Sequence, residues 1–343
     1  MKVKMPGLRR TIRRPRRILA GPALLLLGIL LFPGPADAAF TVTYLYSLSD
    51  FTGTVPYGDV VLSVDRERDE VYAMLGNTIR VFNASGMEIF RFEHDPRLGT
   101  VFDLAVDEPG DILLLTLALG ADRPGPGWSL VRCDYRGEEI GRIPVTGLPP
   151  EFAAIRPNVL LVRNGHVILA SKAQFQVVEI DRAGAFLKGY DLARMIALKE
   201  KDRARDDIAD ITLDLRGNIL FTVPTLFRVF AISPDGEVKA FGRVGSNPGA
   251  FGVVAGVVAD DDGNILVADK GRGVVIVFDE QFRLVTEFGA GEEGPAGLVR
   301  PAELALGSSG KLYVTQARER GVAVFRIGRG AGEEPSGAET PKP

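Results

Sequence analysis

Cysteine, histidine and tryptophan are almost missing from this chain: its 343 residues hold one, two and one of them. With Cys133 alone, no disulfide can close within the chain. Its place in an apolar stretch reads as a small buried hydrophobe rather than a nucleophile. His94 and His166 fall in different segments with no paired cysteine, which argues against a histidine-based zinc site. There is no Gly-x-Ser-x-Gly elbow, no phosphate-binding glycine loop and no Cys-x-x-Cys-His motif for covalent haem. No local motif therefore nominates a catalytic residue. Methionine is also scarce, at 5, whereas glycine reaches 40. That balance suits an all-β chain with many turns.

An excess of basic charge is lacking as well, once the N-terminus is set aside. Eight lysines and arginines between Lys2 and Arg17 precede an apolar run from Ile18 to Phe32. Pro33-Gly34-Pro35 breaks the run, and Ala36-Asp37-Ala38 offers small residues where a signal peptidase reads them. Residues 1–38 are expected to be a signal peptide cleaved after Ala38, its Sec or twin-arginine type left open. The alternative is an uncleaved anchor, which would be the chain's one route to a membrane. Removing residues 1–38 takes the basic count from 41 to 33 and the acidic count from 44 to 43, leaving net −10 with histidine neutral. An acidic chain of this kind is a poor partner for nucleic acid. An exported protein, periplasmic or extracellular and monomeric, is expected. Residues 328–343 hold almost nothing apolar and read as a disordered tail.

What is present is a repeat. Six times a turn of Gly, Asp, Asn, Ser or charged residues leads into a β-branched or leucine-rich run, starting at Val71, Ile112, Val167, Ile219, Ile265 and Leu312. The periods of 41 to 55 residues signal a closed or stacked array. Each repeat reads as a four-stranded meander. In the fifth, Val257 to Asp260, Ile265 to Asp269, Val274 to Phe278 and Leu284 to Phe288 are the strands. The sixth has only three: Leu304 to Leu306, Leu312 to Thr315 and Val322 to Ile327. Its missing outer strand is predicted at the other end of the chain. Phe40, Val42, Tyr44, Tyr46 and Leu48 are spaced two residues apart, the period of a half-buried strand. Pairing residues 40–48 antiparallel with Val322 to Ile327 would close a ring and hide its edges.

Gly245-Ser246-Asn247-Pro248-Gly249-Ala250-Phe251, leading into Val257 to Asp260 and then Asp262-Gly263-Asn264-Ile265-Leu266-Val267-Ala268-Asp269, resembles an NHL repeat. Gly289 to Gly297, with Pro301 and Leu304 to Leu306, repeats the first half of the pattern. The resemblance holds over residues 208–327. Over 57–190 the glycine-phenylalanine lead-in is absent, and Met74, Thr116 or Ser171 stands where the second strand should end in Asp. It implies a six-bladed β-propeller over residues 39–327, built of four-stranded antiparallel blades. The same family implies binding of proteins, RNA or small molecules, and a few related propellers are lactonases or lyases.

In such a propeller the inner strands line a central channel, and their N-terminal ends open on one face. Aligning them puts Asp59, Asp103, Asn158, Asp210, Gly256 and Glu303 at that mouth. Oxygen-rich clusters suit Ca²⁺ or another hard cation, so Asp103, Asn158, Asp210 and Glu303 are candidate metal ligands. Crowded carboxylates could equally serve as a general acid/base pair, or simply cap the strands and bond turn amides. The same face carries insertions. Asp191 to Glu200 reads as a short helix capped by Asp191, with Leu192, Met195 and Ile196 on one side. Trp128 ends a Pro/Gly-rich loop that starts at Ala121, and Phe152 lies in Gly147 to Phe152. Exposed, these five apolar side chains would form a partner-binding patch; the alternative is that Trp128 packs under its own loop. The leading expectation is a scaffold for a protein or small extracellular ligand, with no assigned catalytic residue and no assured cofactor. The alternative is a metal-dependent, Ca²⁺-type hydrolase similar to lactonase propellers.

Overall fold

The computed structural model describes residues 39–55, 60–107, 110–117, 127–203, 205–291, 294–317 and 320–329. They form six four-stranded antiparallel sheets, arranged as a β-propeller. Blade 1 comprises Val61–Asp65, Glu70–Leu75, Thr78–Phe82 and Glu88–Glu93. Blade 2 comprises Thr100–Val106, Ile112–Leu117, Trp128–Cys133 and Glu139–Ile143. Blade 3 comprises Val159–Arg163, His166–Ser171, Gln176–Asp181 and Phe186–Asp191. Blade 4 comprises Asp210–Leu213, Ile219–Val223, Arg228–Ile232 and Val238–Phe241. Blade 5 comprises Val254–Ala259, Ile265–Asp269, Val274–Phe278 and Leu284–Phe288. Blade 6 comprises Leu304–Leu306, Lys311–Thr315 and Val322–Arg329, completed by Phe40–Ser47. The closing pair runs from Phe40 opposite Arg329 to Ser47 opposite Ala323. The last strand thus extends through Gly328 and Arg329, two residues into the expected tail, because Phe40 and Thr41 give it a partner. The expected signal peptide, residues 1–38, and residues 330–343 lie outside the described residues.

The second strands show why the chain folds this way. Ile112 and Leu114 pack toward blade 1, while Leu113 and Leu115 pack toward blade 3. Both faces of the strand are buried, so apolar residues run on without alternation. Among the described residues there is one apolar cluster at each of the six seams between blades. The core is therefore a ring of seams, not a single centre. Cys133 is fully buried in one of them, and burial pushes its thiol up to about 12, which keeps it protonated.

Turn chemistry fixes the inner hairpins. The Asp260 carboxylate accepts the amides of Asp262 and Asn264 and the Asn264 side chain. Asp214 does the same for Arg216 and Asn218 in blade 4. Gly263, at φ 83°, takes the left-handed position that this loop needs. These hairpins lie at the far ends of the inner strands. One face of the ring, the hairpin face, therefore carries them, and the opposite face, the entry face, carries the starts of the inner strands.

Candidate functional site at the channel mouth

Three of the aligned carboxylates follow a common rule. In alternate blades, each reaches across the seam to the inner strand of the next blade. Asp103 accepts the amides of Leu104 at 2.8 Å and Leu160 at 2.7 Å. Asp210 accepts those of Ile211 and Val257, both at 2.8 Å. Glu303 accepts the amide of Leu62 at 3.0 Å, across the seam where the ring closes. Local structure aims each group. A register shift between Val101 and Asp103 turns the Asp103 side chain. The hydroxyls of Thr222 and Thr315 hold the amides of Asp210 and Glu303.

The other three mouth positions differ. Asn158 accepts the backbone amide of Lys172. At Gly256 a Cβ would sit 2.4 Å from the carbonyl oxygen of Ala302, whose backbone bonds the Gly256 amide at 2.7 Å, so the position admits only glycine. Asp59 lies outside the described residues. Lys172 follows the second strand of blade 3, and inner-strand alignment overlooks it. Its ammonium holds down the pKa of Asp103, Asp210 and Glu303 alike, which places it among them. The equivalent position after the second strand of blade 5 is Lys270, which acts on Asp210. A basic residue after a second strand was therefore a readable signal.

Burial dominates the electrostatics. It raises Asp103 to about 7, against the amides of Leu160 and Leu104 and the charge of Lys172. It raises Glu303 to about 8, with Asp210 adding repulsion. Burial moves Asp210 upward as well. Near neutral pH Asp103 and Glu303 therefore retain protons at the mouth. Both oxygens of Asp103 and of Asp210 are turned to backbone amides, as is one of Glu303. Among the described residues no group of three or more His, Cys, Asp or Glu is placed to hold a metal ion. Behind the mouth, a cavity of about 720 Å³ runs along the inner strands to Arg66, Arg163 and Leu215 on the hairpin face.

The expected partner patch is not at the surface, and that expectation is corrected. Trp128 opens the third strand of blade 2, is buried, and donates its indole N–H to the Ile155 carbonyl at 2.9 Å. Phe152 is buried against Phe186, with ring centroids 6.2 Å apart. Leu192 is fully buried, and Met195 and Ile196 pack on the seam between blades 3 and 4. The expected helix is two single turns, Leu192–Met195 and Glu200–Arg203. Asp191 does cap the first, accepting the Arg194 amide. Ala197, at φ 53°, ends it. These insertions brace seams rather than present a face. Residues 118–126 of the Trp128 loop lie outside the described residues.

No family model and no curated protein matches the chain. Solved structures resemble it in fold. A streptogramin B lyase structure has a TM-score of 0.54 at 15% identity, over 86% of this chain and 100% of that one. A protein of unknown function from Bacteroides thetaiotaomicron has a TM-score of 0.57 at 12% identity, over 84% of this chain and 76% of the other. A gluconolactonase from Xanthomonas campestris has a TM-score of 0.52 at 13% identity, over 84% and 89%. At such identities the likeness is one of architecture, the six-bladed propeller.

Proposed function

We propose that this chain is an exported, NHL-type binding scaffold: a rigid ring that presents its entry face and channel mouth to a protein or small ligand. The observation that carries this reading is how the mouth carboxylates are used. Asp103 and Asp210 spend both oxygens on strand amides, so they clasp neighbouring blades together. Groups committed in this way are poorly available to coordinate a cation or attack a substrate. The acidic balance after removal of residues 1–38 keeps nucleic acid off the partner list.

The second reading is a metal-assisted hydrolase of the lactonase kind. It draws on the fold shared with a gluconolactonase and on two carboxyls, Asp103 and Glu303, that retain protons near neutrality as a general acid must. Asp103, Asn158, Asp210 and Glu303 would supply the oxygens. Elemental analysis of purified protein, with melting curves recorded with and without added Ca²⁺, separates the readings. A scaffold is expected to carry no stoichiometric metal and to melt at the same temperature in both. A stoichiometric metal, or a saturable rise in melting temperature with Ca²⁺, would replace the scaffold by the hydrolase.

A further inference from the structure

The hairpin face holds a second concavity that the entry-face reading does not use. Blade 3 turns there through Asn164 and Gly165, at φ 49° and 78°, so that Arg163 and His166 face one another across a two-residue hairpin. A directly opposed pair projects from the same side of a sheet. On that side lie Ile168 and Val177, which pack into the seam with blade 4. Toward the rim the apolar packing stops and the seam opens into a cleft of about 280 Å³. Leu213, Leu215 and Ile219 form its blade 4 wall, and Leu215 is 55% exposed.

The polar groups of this cleft lean positive. Glu179 is committed to the Nδ1 of His166, which leaves Nε2 without a protein partner among the described residues. Arg216 is committed to Glu280. The Lys188 ammonium lies over the Tyr190 ring, 4.7 Å from its centre, and bonds the Pro234 carbonyl. Arg163 is half-buried, and its guanidinium makes no hydrogen bond or ion pair with any described residue. Burial and the neighbouring Arg66 both work against its charge, with Asp214 the opposing carboxylate. A desolvated guanidinium without an acceptor is costly to keep, and a bidentate anion relieves that cost.

We propose that the cleft between blades 3 and 4 is a binding site for a small organic carboxylate with an apolar body. The carboxylate sits on the Arg163 guanidinium beside His166, and the body lies against Ile168, Val177, Leu213 and Leu215. The cleft volume suits a ligand about the size of one substituted ring, smaller than most drug-sized ligands. Arg163, Leu213 and Leu215 also line the hairpin-face end of the channel, so the cleft adjoins it at the end opposite the mouth carboxylates, and its test does not depend on them.

The two histidines make the test direct. Sodium benzoate is titrated into the full-length folded protein at constant ionic strength, and the imidazole ring protons are followed by NMR. His94, which is buried, serves as the internal control. A saturable shift of His166 alone, with a Kd of about 0.1–1 mM, is expected. Arg163→Gln is expected to weaken binding by at least tenfold. Arg163→Lys, which keeps the charge but not the fork, should weaken it several-fold and covers the case in which the glutamine variant fails to fold. Inorganic phosphate should bind more weakly than benzoate, lacking an apolar body. A linear drift of His166 up to ~10 mM benzoate, affinity unchanged in both Arg163 variants, or phosphate binding as tight as benzoate would overturn the proposal.

Discussion

Asp103 and Glu303 occupy matching places in the ring yet should respond differently to replacement by their amides. Asp103 uses both oxygens, so Asp103→Asn turns an NH₂ group toward either the Leu104 or the Leu160 amide. A donor facing a buried donor costs about 1–3 kcal/mol, read as a lowered urea midpoint. Glu303 uses one oxygen, on Leu62, and Glu303→Gln keeps that acceptor. The proton is what the glutamine removes. Folding raises Glu303 from 4.5 to about 8, so the native state holds its proton more tightly than the unfolded chain does. The stability this confers is complete below pH 4.5 and is lost as pH climbs through 8. Urea unfolding at pH 5 and pH 9 should show the wild type losing stability across that window. Glu303→Gln should match it at pH 5 and exceed it by on the order of 1–2 kcal/mol at pH 9, a discounted figure because the carboxylate borders an open channel. An unchanged slope in the variant would remove Glu303 as its source. The sequence made the carboxylate ring legible, since a repeat alignment stacks equivalent positions. Which oxygen meets which amide was not legible, because Leu160 lies 57 residues from Asp103 and meets it only once neighbouring blades pack.

At the scale of a strand or turn, blade 5 is organised by the end of its second strand. Asp269, fully buried, accepts four amides, those of Gly252, Val253, Gly271 and Arg272. It thereby ties the lead-in segment to the following hairpin. That explains why the motif ending in Asp269 is the most recognisable stretch of the chain. Where Met74, Thr116 or Ser171 stands instead, the collection is lost: the Thr116 hydroxyl bonds Ser129, and Ser171 accepts a single amide, that of Gln174. Asp269→Ala should leave several buried donors unmet and cost roughly 3–5 kcal/mol by urea denaturation, more than any exposed carboxylate would. A loss below about 1 kcal/mol, the size of a single ordinary hydrogen bond, would mean that the lead-in is held by packing alone. Elements whose structure depends on local turn chemistry were readable in this way. Those whose fate depends on a neighbour were not. Trp128 reads as a loop residue from the prolines and glycines before it. It falls in phase with Leu130 in the same strand, and both point into the seam with blade 3. That two-residue phase was the available signal, and the composition of the adjoining loop obscured it.

At the scale of the whole molecule, the ring is closed by pairing its first described strand with its last. Phe40–Ser47 covers Val322–Arg329, adds Tyr44 edge-on to Phe325 at 5.7 Å, and feeds Leu48 into the seam between blades 6 and 1. The closure was legible because blade 6 lacks one strand and residues 40–48 supply an alternating one. The channel is a consequence of that closure: Glu303 reaches Leu62 only across the seam it completes. Deleting residues 39–48 should therefore do two things together. It bares the whole edge of Val322–Arg329, whose unpaired amides and carbonyls can recruit other chains, so light scattering should reveal association. It also loosens the blade 6 to blade 1 seam, so the melting temperature should fall by more than the ~2 °C that a 1 kcal/mol loss gives in a chain of this size. A synthetic peptide of residues 39–48 can add back as a strand, since the edge offers it the same hydrogen bonds. It should restore both solubility and melting temperature, whereas a peptide with Val42, Tyr44 and Tyr46 changed to serine should restore neither. Failure of the native peptide, with the truncated chain still folded and soluble, would mean that the other five seams hold the ring without a clasp.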